Sequence, residues 1–311
     1  MIKGTKEVSV SAPCKINLHL GIGEKRPDGF HNIESLFACL ALSDTLKFVR
    51  SGKEGECTLS TSVDGGMGEK DNLVCRAVTL YRERTGFKDG LEVYLDKRIP
   101  VGAGLGGGSS DAASTLIALN TLSENPVSME ELMEMAAILG SDVPFFLFGG
   151  LAYVSGRGEL IEPLETASLN GLWVVLVMPP FSSDTINAYR LLDISRQGAK
   201  PESSFAPRTE GSTRLCESFL QKDPRTWPFC NDFLPVFLDA GGENACAYRA
   251  ILEGLRKAGA SFAGLSGTGS CCFGIFTTKE KAKIAEKDFT MRGNFARLTF
   301  FLANRANPVL K

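Results

Sequence analysis

The sequence predicts an α+β protein of two domains, and three observations carry that prediction. The chain has 311 residues, more than one small domain holds. Strand-like and helix-like segments follow one another in mixed order, without a regular strand–helix alternation. Hydrophobic residues make up 43% and charged residues 23%, so disorder and coiled coil are excluded as the dominant state. The domain boundary is expected near residue 165, giving domains 1–165 and 166–311.

The elements follow in order. Val8-Ser9-Val10 alternates, and residues 16–22 alternate apolar with Asn17, His19 and Gly21, which predicts strands. Arg26-Pro27-Asp28-Gly29 is a turn, because proline presets φ and glycine accepts positive φ. Residues 45–49 and 91–95 are further strands. Between them Leu73, Ala77, Leu80 and Tyr81 recur at helical spacing until Gly86 stops them. An Ala/Leu/Ile-rich helix is expected over 110–122. Ser128 with Glu131 three residues on forms a capping box for a helix that ends at Gly140. Residues 143–148 and 151–154 are apolar and β-like, split by Gly149-Gly150, and predict a hairpin. A buried strand over 172–178 follows. Residues 195–228, rich in Ser, Pro, Gly and charge, are expected to form a long surface loop. The remainder predicts a helix over 243–257, strands over 263–265 and 271–276, and a helix from Lys279.

Composition narrows the function. Lys and Arg number 34 against 36 Asp and Glu, a net charge of -2, so no nucleic-acid partner relying on broad phosphate neutralisation is expected. The nine cysteines are scattered without a Cys-x-x-Cys pair, and only His19 and His31 could join them, so a tetrahedral zinc site has no local support. They are expected to be small buried hydrophobes in a reducing cytosol. Residues 1–7 carry no apolar secretion core, and the longest apolar run, 172–178, is far short of the ~20 residues that cross a bilayer. A soluble cytoplasmic protein with no membrane partner is expected.

Glycine supplies 33 residues, roughly a tenth of the chain against a norm of about 7%. Five fall in Pro100-Val101-Gly102-Ala103-Gly104-Leu105-Gly106-Gly107-Gly108-Ser109-Ser110-Asp111. Such a loop takes φ > 0 and approaches a ligand with no Cβ in the way. It opens directly into a helix, whose unpaired N–H groups and positive dipole end favour an anion. The pair makes a phosphate cradle, where Ser109 and Ser110 offer hydroxyls to the phosphates or to a Mg²⁺ riding on them. Gly102, Gly104 and Gly107 match G-x-G-x-x-G, but Glu124 follows a helix and not the second strand of a dinucleotide fold. Position 108 is Gly, where a P-loop carries lysine.

Three further segments are weak alone. Lys15 and Asn17 in Ala12-Pro13-Cys14-Lys15-Ile16-Asn17-Leu18 point the same way on a strand, although strand lysines are commonly solvated edge residues. Asp142 in Gly140-Ser141-Asp142-Val143-Pro144 is a lone carboxylate heading an apolar strand, where a capping or turn role is the ordinary one. Leu265-Ser266-Gly267-Thr268-Gly269-Ser270 is a second Gly/Ser loop between strands.

Together, in this order, the four segments resemble the GHMP kinase superfamily of galacto-, homoserine, mevalonate and phosphomevalonate kinases. The resemblance covers most of the chain. Lys15-Ile16-Asn17-Leu18, Arg26-Pro27-Asp28-Gly29-Phe30-His31, Asp71-Asn72-Leu73-Val74, the triple-glycine loop and Gly140-Ser141-Asp142-Val143-Pro144 are similar to one branch. That branch phosphorylates the 2-hydroxyl of 4-diphosphocytidyl-2-C-methyl-D-erythritol in non-mevalonate isoprenoid biosynthesis.

The resemblance implies a two-domain GHMP kinase-like architecture with the active site in the interdomain cleft, and a monomer or homodimer. It implies ATP and Mg²⁺ as cofactors, with residues 100–110 as the ATP phosphate loop and Ser110 as the hydroxyl near Mg²⁺. Asp142 matches the catalytic base and Lys15 the cation that stabilises charge on the attacking oxygen. Asn17 and His31 match positions that hold the acceptor. Phe30 stands where the family often has Tyr, which keeps the π-face, and Tyr189, in Thr185-Ile186-Asn187-Ala188-Tyr189, falls where a second aromatic faces the cytosine ring. Thr185 is expected to line the same pocket. Cys14 replaces the usual Ala. Two alternatives stand beside this reading. Another GHMP kinase, of the homoserine or mevalonate type, would not need the two aromatics and His31. A catalytically silent nucleotide-binding regulator would be expected to lack Lys15 or Asp142.

Overall fold

A computed structural model describes residues 7–63, 72–196, 212–303 and 309–310. Two long antiparallel strands, β1 (Glu7–Lys25) and β2 (His31–Ser51), form the spine, joined at the predicted Arg26–Gly29 turn. The second half of β2 pairs with β4 (Gly90–Asp96), and β3 (Cys57–Thr61) adds to β4 in parallel. The first half of β2 pairs with β5 (Leu151–Gly156), which carries β6 (Leu160–Leu164). The short β11 (Val309–Leu310) closes the other edge against β1. A second sheet runs in the order β10 (Phe295–Phe300), β7 (Trp173–Met178), β9 (Cys272–Phe276), β8 (Phe262–Leu265). The chain changes sheet between Leu164 and Trp173, and β11 returns it to the first.

Helices α1 (Leu73–Thr85), α2 (Gly107–Leu122), α3 (Met129–Leu139) and α4 (Val143–Phe148) pack together, with α2 against the β1–β2 spine; α8 (Gly242–Lys257), which carries α7 (Phe233–Asp239), and α9 (Lys279–Met291) cover the second sheet. One core cluster joins the sheets directly: Cys14, Ile16 and Leu18 of β1 and Leu36 and Ala38 of β2 meet Val174 and Leu176 of β7 and Phe273 and Ile275 of β9. Among the described residues no helix is long and apolar enough to cross a membrane.

Local signals account for the helix ends. Asn72 caps α1 by accepting from the Val74 N–H, and Gly86 ends it in the left-handed conformation at φ 72°. The capping box of α3 is present in both directions, Ser128 with the Glu131 N–H and Glu131 with the Ser128 N–H.

Two expectations are corrected. Residues 143–148 are not a strand of a hairpin but the helix α4, while Leu151–Gly156 is the strand β5. Val143 through Leu147 are all buried, so the apolar run carries no period to separate helix from strand. Pro144, in the first turn, suits a helix start. Residues 195–228 are not one surface loop. Thr185–Ser195 is α5, Ser212–Leu220 is α6, and Pro224–Thr226 is a 3₁₀ turn. Cys216, Leu220, Trp227 and Phe229 are buried in the core between the sheets, a helical and aromatic signal that the Ser/Pro/Gly composition masked. Residues 197–211, and Asp71 of the matched motif, lie outside the described residues.

Candidate active site

The glycine loop works by close packing. Gly102, Gly104 and Gly106 take φ of 69°, 73° and 71°, and Gly106 is the N-cap of α2, so the helix starts in the glycines rather than at Ser110. A Cβ on Gly104 would lie 2.3 Å from the Ser266 carbonyl oxygen, and one on Gly106 would lie 2.8 Å from Cζ of Phe146 and 3.1 Å from Cγ of Lys15. These two glycines therefore make room for protein as well as for a ligand. Ala103 and Leu105 are buried anchors between them. The Lys15 N–H donates to the Leu105 carbonyl at 2.9 Å, the Ser266 hydroxyl to the Gly104 carbonyl at 2.9 Å, and the Cys271 N–H to the Ala103 carbonyl at 3.1 Å. The loop is thus knit to β1 and to the late Gly/Ser loop. The N–H groups of Gly107, Gly108 and Ser109, in the first turn of α2, have no intrahelical acceptor, the arrangement that suits an anion at a helix start.

Lys15 and Asp142 meet beside this loop. Register shifts between Pro13 and Cys14 and between Asn17 and His19 bracket the segment, and such irregularities re-aim side chains next to active sites. Cys14, Ile16 and Leu18 sink into the core between the sheets, which leaves Lys15 and Asn17 lining the cleft. The buried Lys15 Nζ lies 3.5 Å from Asp142 Oδ2, donates to Asn17 Oδ1 at 2.7 Å, and sits 4.3 Å above the Phe37 ring. Asn17 Nδ2 donates to Ser35 Oγ at 2.9 Å, which fixes the amide. Asp142 heads α4, not a strand. It occupies the N-cap yet makes no side-chain capping bond, and its side chain is 34% exposed. The carboxylate faces the cleft.

Beside Lys15 and Asp142 opens a cleft of about 740 Å³ lined by both halves of the chain. Phe30, Arg157, Lys25 and His31 stand on one wall; Thr185, Tyr189, Arg190 and Asp193 of α5, with Phe233 and Thr268, stand on the other. His31 is buried and stacked on Tyr189, ring centroids 5.2 Å apart at 25°, and Tyr189 meets Phe233 edge-on at 5.0 Å. Burial, with the Asp142 charge nearby, pushes the Tyr189 phenol up to about 12. Phe30 is 54% exposed and the Arg157 guanidinium lies 5.3 Å from its ring centroid. Thr185 Oγ1 is 3.1 Å from Thr268 Oγ1 across the mouth.

A second cleft, about 390 Å³, lies on the other side of the loop and shares Gly104 and Gly106 with the first. Leu59, Thr61, Leu73, Leu95, Pro100 and Val101 give it an apolar wall, and Lys97 and Asp111 its polar end. Lys97 Nζ donates to Asp111 Oδ2 at 2.7 Å and to Asp44, whose other oxygen accepts the Ile99 N–H at 2.8 Å. Burial pushes the Asp111 carboxyl up to about 7, with Lys97 opposing and Asp44 adding to the rise. Ser110 is fully buried, lines neither cleft, and its Oγ has no hydrogen-bond partner. Among the described residues no cluster of three His, Cys, Asp or Glu side chains could hold a metal.

All the expected site residues except Gly102, Ser109 and Ser110 thus bound one of two adjoining clefts, and Ala103 and Leu105 also lock the loop between them. Polar lining residues not anticipated from the sequence include Lys25, Arg157, Arg190 and Asp193 in the larger cleft and Thr61 and Lys97 in the smaller. Asp111 lay inside the glycine motif without an assigned role. Only Lys97, three residues before Pro100, had a positional hint.

Known proteins match this architecture. Residues 72–150 match the GHMP kinases N terminal domain and residues 237–290 the GHMP kinases C terminal domain. The chain is 38% identical over 302 residues to the 4-diphosphocytidyl-2-C-methyl-D-erythritol kinase of Solidesulfovibrio magneticus, covering 94% of this chain and 96% of that protein. The chloroplastic enzyme of that name from rice is 44% identical over 189 residues; there the match spans 61% of this chain and about half, 47%, of the plant protein. A crystal structure of 4-(cytidine 5'-diphospho)-2C-methyl-D-erythritol kinase superposes with a TM-score of 0.75 at 32% identity, covering 94% of this chain and 99% of the other.

Proposed function

The chain belongs to the GHMP kinases, in the branch of the 4-diphosphocytidyl-2-C-methyl-D-erythritol kinases, and on that footing we infer that it phosphorylates the 2-hydroxyl of 4-diphosphocytidyl-2-C-methyl-D-erythritol with ATP. One observation carries the mechanism. Lys15 and Asp142, 3.5 Å apart, sit where two clefts meet at the N-terminus of α2. In-line phosphoryl transfer needs a donor and an acceptor brought together at such a junction.

The smaller cleft takes the nucleotide, with its apolar wall against the base and its phosphates on the N–H groups of Gly107, Gly108 and Ser109. The larger cleft takes the acceptor, with the cytosine ring against Phe30 and Tyr189, His31 at its edge, and Thr185 at the mouth. Asp142 accepts the proton of the attacking hydroxyl. Lys15, fixed by Asn17, stabilises the charge left on that oxygen. The buried, unpartnered Ser110 Oγ in the first turn of α2 is the side-chain oxygen that suits Mg²⁺, which when bound with ATP neutralises phosphate charge. Residues 1–165 form the nucleotide-binding half and 166–311 the second half, with the acceptor cleft between them.

Base–aromatic stacking contributes ~1–3 kcal/mol per base. In a coupled ADP-release assay the cytidine-linked acceptor should therefore turn over far faster than homoserine or mevalonate. Equal turnover of a cytidine-free alcohol would remove the cytosine pocket from this reading. A homoserine or mevalonate acceptor has no use for the stacked His31–Tyr189 pair, and a silent regulator has no use for Lys15 and Asp142 together.

A further inference from the structure

We propose that Asp193 is a positioning residue that, acting through His31, makes the acceptor pocket admit a 4-amino pyrimidine and reject a 4-oxo one. The inference rests on reading the larger cleft as the site of the cytidine-linked acceptor. Asp193 lies on α5, one turn beyond Tyr189, and reaches across to the start of β2. Its Oδ1 is 2.8 Å from His31 Nε2, and its Oδ2 accepts from Lys25 Nζ at 2.9 Å. One carboxylate thus ties the end of β1, the start of β2 and α5 together around an imidazole already stacked on Tyr189.

The hydrogen-bond pattern fixes the tautomer. Partial burial alone would raise the Asp193 carboxyl, but the hydrogen bonds from Lys25 and His31 and the Lys25 ammonium outweigh it and hold the group below its usual range. An ionised carboxylate only accepts, so Nε2 must carry the hydrogen. In the neutral ring Nδ1 then holds the lone pair, and the described residues supply no hydrogen bond to it. The ring lines the cleft, so this acceptor is the polar atom His31 offers a ligand. The exocyclic N4 of cytosine donates, whereas O4 of uracil accepts. A lone pair at Nδ1 pairs with the first and repels the second, and a site built for a donor discriminates strongly against a ligand lacking it. Asp193 holds His31 and Lys25 with its two oxygens and so acts on the ligand through the imidazole.

The test compares kcat/KM for the cytidine-linked acceptor with that for its uridine-linked analogue, at saturating ATP, in wild type, Asp193→Asn and Asp193→Glu. An Asn can turn either its carbonyl or its amide toward Nε2, so the ring is free to take the other tautomer. The wild type should favour the cytidine acceptor by about 10² or more. Asp193→Asn should raise KM for the cytidine acceptor about tenfold or more, leave kcat within about threefold, and lower the cytidine-to-uridine preference by about tenfold or more. Asp193→Glu, which keeps the acceptor charge, should recover part of that preference. A folded Asp193→Asn enzyme with the wild-type preference, whatever its KM, overturns the role given to Asp193 and leaves the reading of the cleft standing. Absence of turnover of the cytidine acceptor by the wild type overturns the reading of the cleft and this inference with it.

Discussion

Asp142→Asn lowers kcat by about 10²- to 10⁴-fold while ATP affinity changes by less than about tenfold. The substitution keeps size and hydrogen-bonding shape and removes only the charge and the capacity to take a proton. The carboxylate makes no capping bond to α4, its side chain is 34% exposed, and without its charge Lys15 keeps the Asn17 oxygen at 2.7 Å, so the melting temperature should stay close to wild type. Lys15→Ala also lowers kcat. The Lys15 ammonium is buried 3.5 Å from Asp142, so the double variant should lose less than the two single losses combined. Single-turnover phosphorylation and thermal melts on the same preparations separate the readings. A stable Asp142→Asn enzyme with wild-type turnover removes the base from this mechanism. A variant that melts early but keeps turnover in its folded fraction makes Asp142 a structural residue at a helix start.

The second large effect is on stability and comes from the loop. Gly104→Val puts a Cβ 2.3 Å from the Ser266 carbonyl oxygen and 2.8 Å from that of Gly269, at φ 73° where a β-branched residue is strained. Both contacts are backbone, so neither can swing aside, and the two Gly/Ser loops must part. A cost of about 3 kcal/mol or more is expected, a fall in melting temperature of about 6–12 °C, together with weakened ATP binding. Gly108→Ala is the contrast. A Cβ there meets only Leu73 Cδ1 at 3.5 Å, ordinary contact, and helical φ suits alanine. Differential scanning calorimetry should show little loss for Gly108→Ala. Equal melting of Gly104→Val and wild type would mean the two loops do not depend on their close contact.

What the sequence makes legible depends on how local the determining physics is. The turn at Arg26–Gly29, the Gly86 stop, the Ser128 cap and the helix after the glycines follow from neighbours a few residues apart, and the structure has all of them. Residues 143–148 misled because an apolar run buried on every side has no period, and α4 is set by what surrounds it. Within residues 195–228 the Ser, Pro, Gly and charge content hides the spacing of Cys216, Phe219 and Leu220 and the aromatic Trp227, which together with Phe229 fill the core between the sheets. At the site, Lys15 and Asp142 are visible through motifs that stand together in the chain. Asp193, Arg157 and Lys97 are not. Asp193 reaches His31 across 162 positions of sequence and Lys97 reaches Asp44 across 53, pairings that only the tertiary fold creates.

The proposed reaction moves a phosphoryl group from ATP to a carbon-bound hydroxyl of a cytidine-linked acceptor. Phosphorus-31 NMR of a reaction holding the chain, ATP, Mg²⁺ and 4-diphosphocytidyl-2-C-methyl-D-erythritol observes that bond directly. A new phosphomonoester resonance growing in step with ADP, with the acceptor's diphosphate signals retained, is the predicted result. No phosphomonoester, or ADP formed only alongside inorganic phosphate, would contradict it.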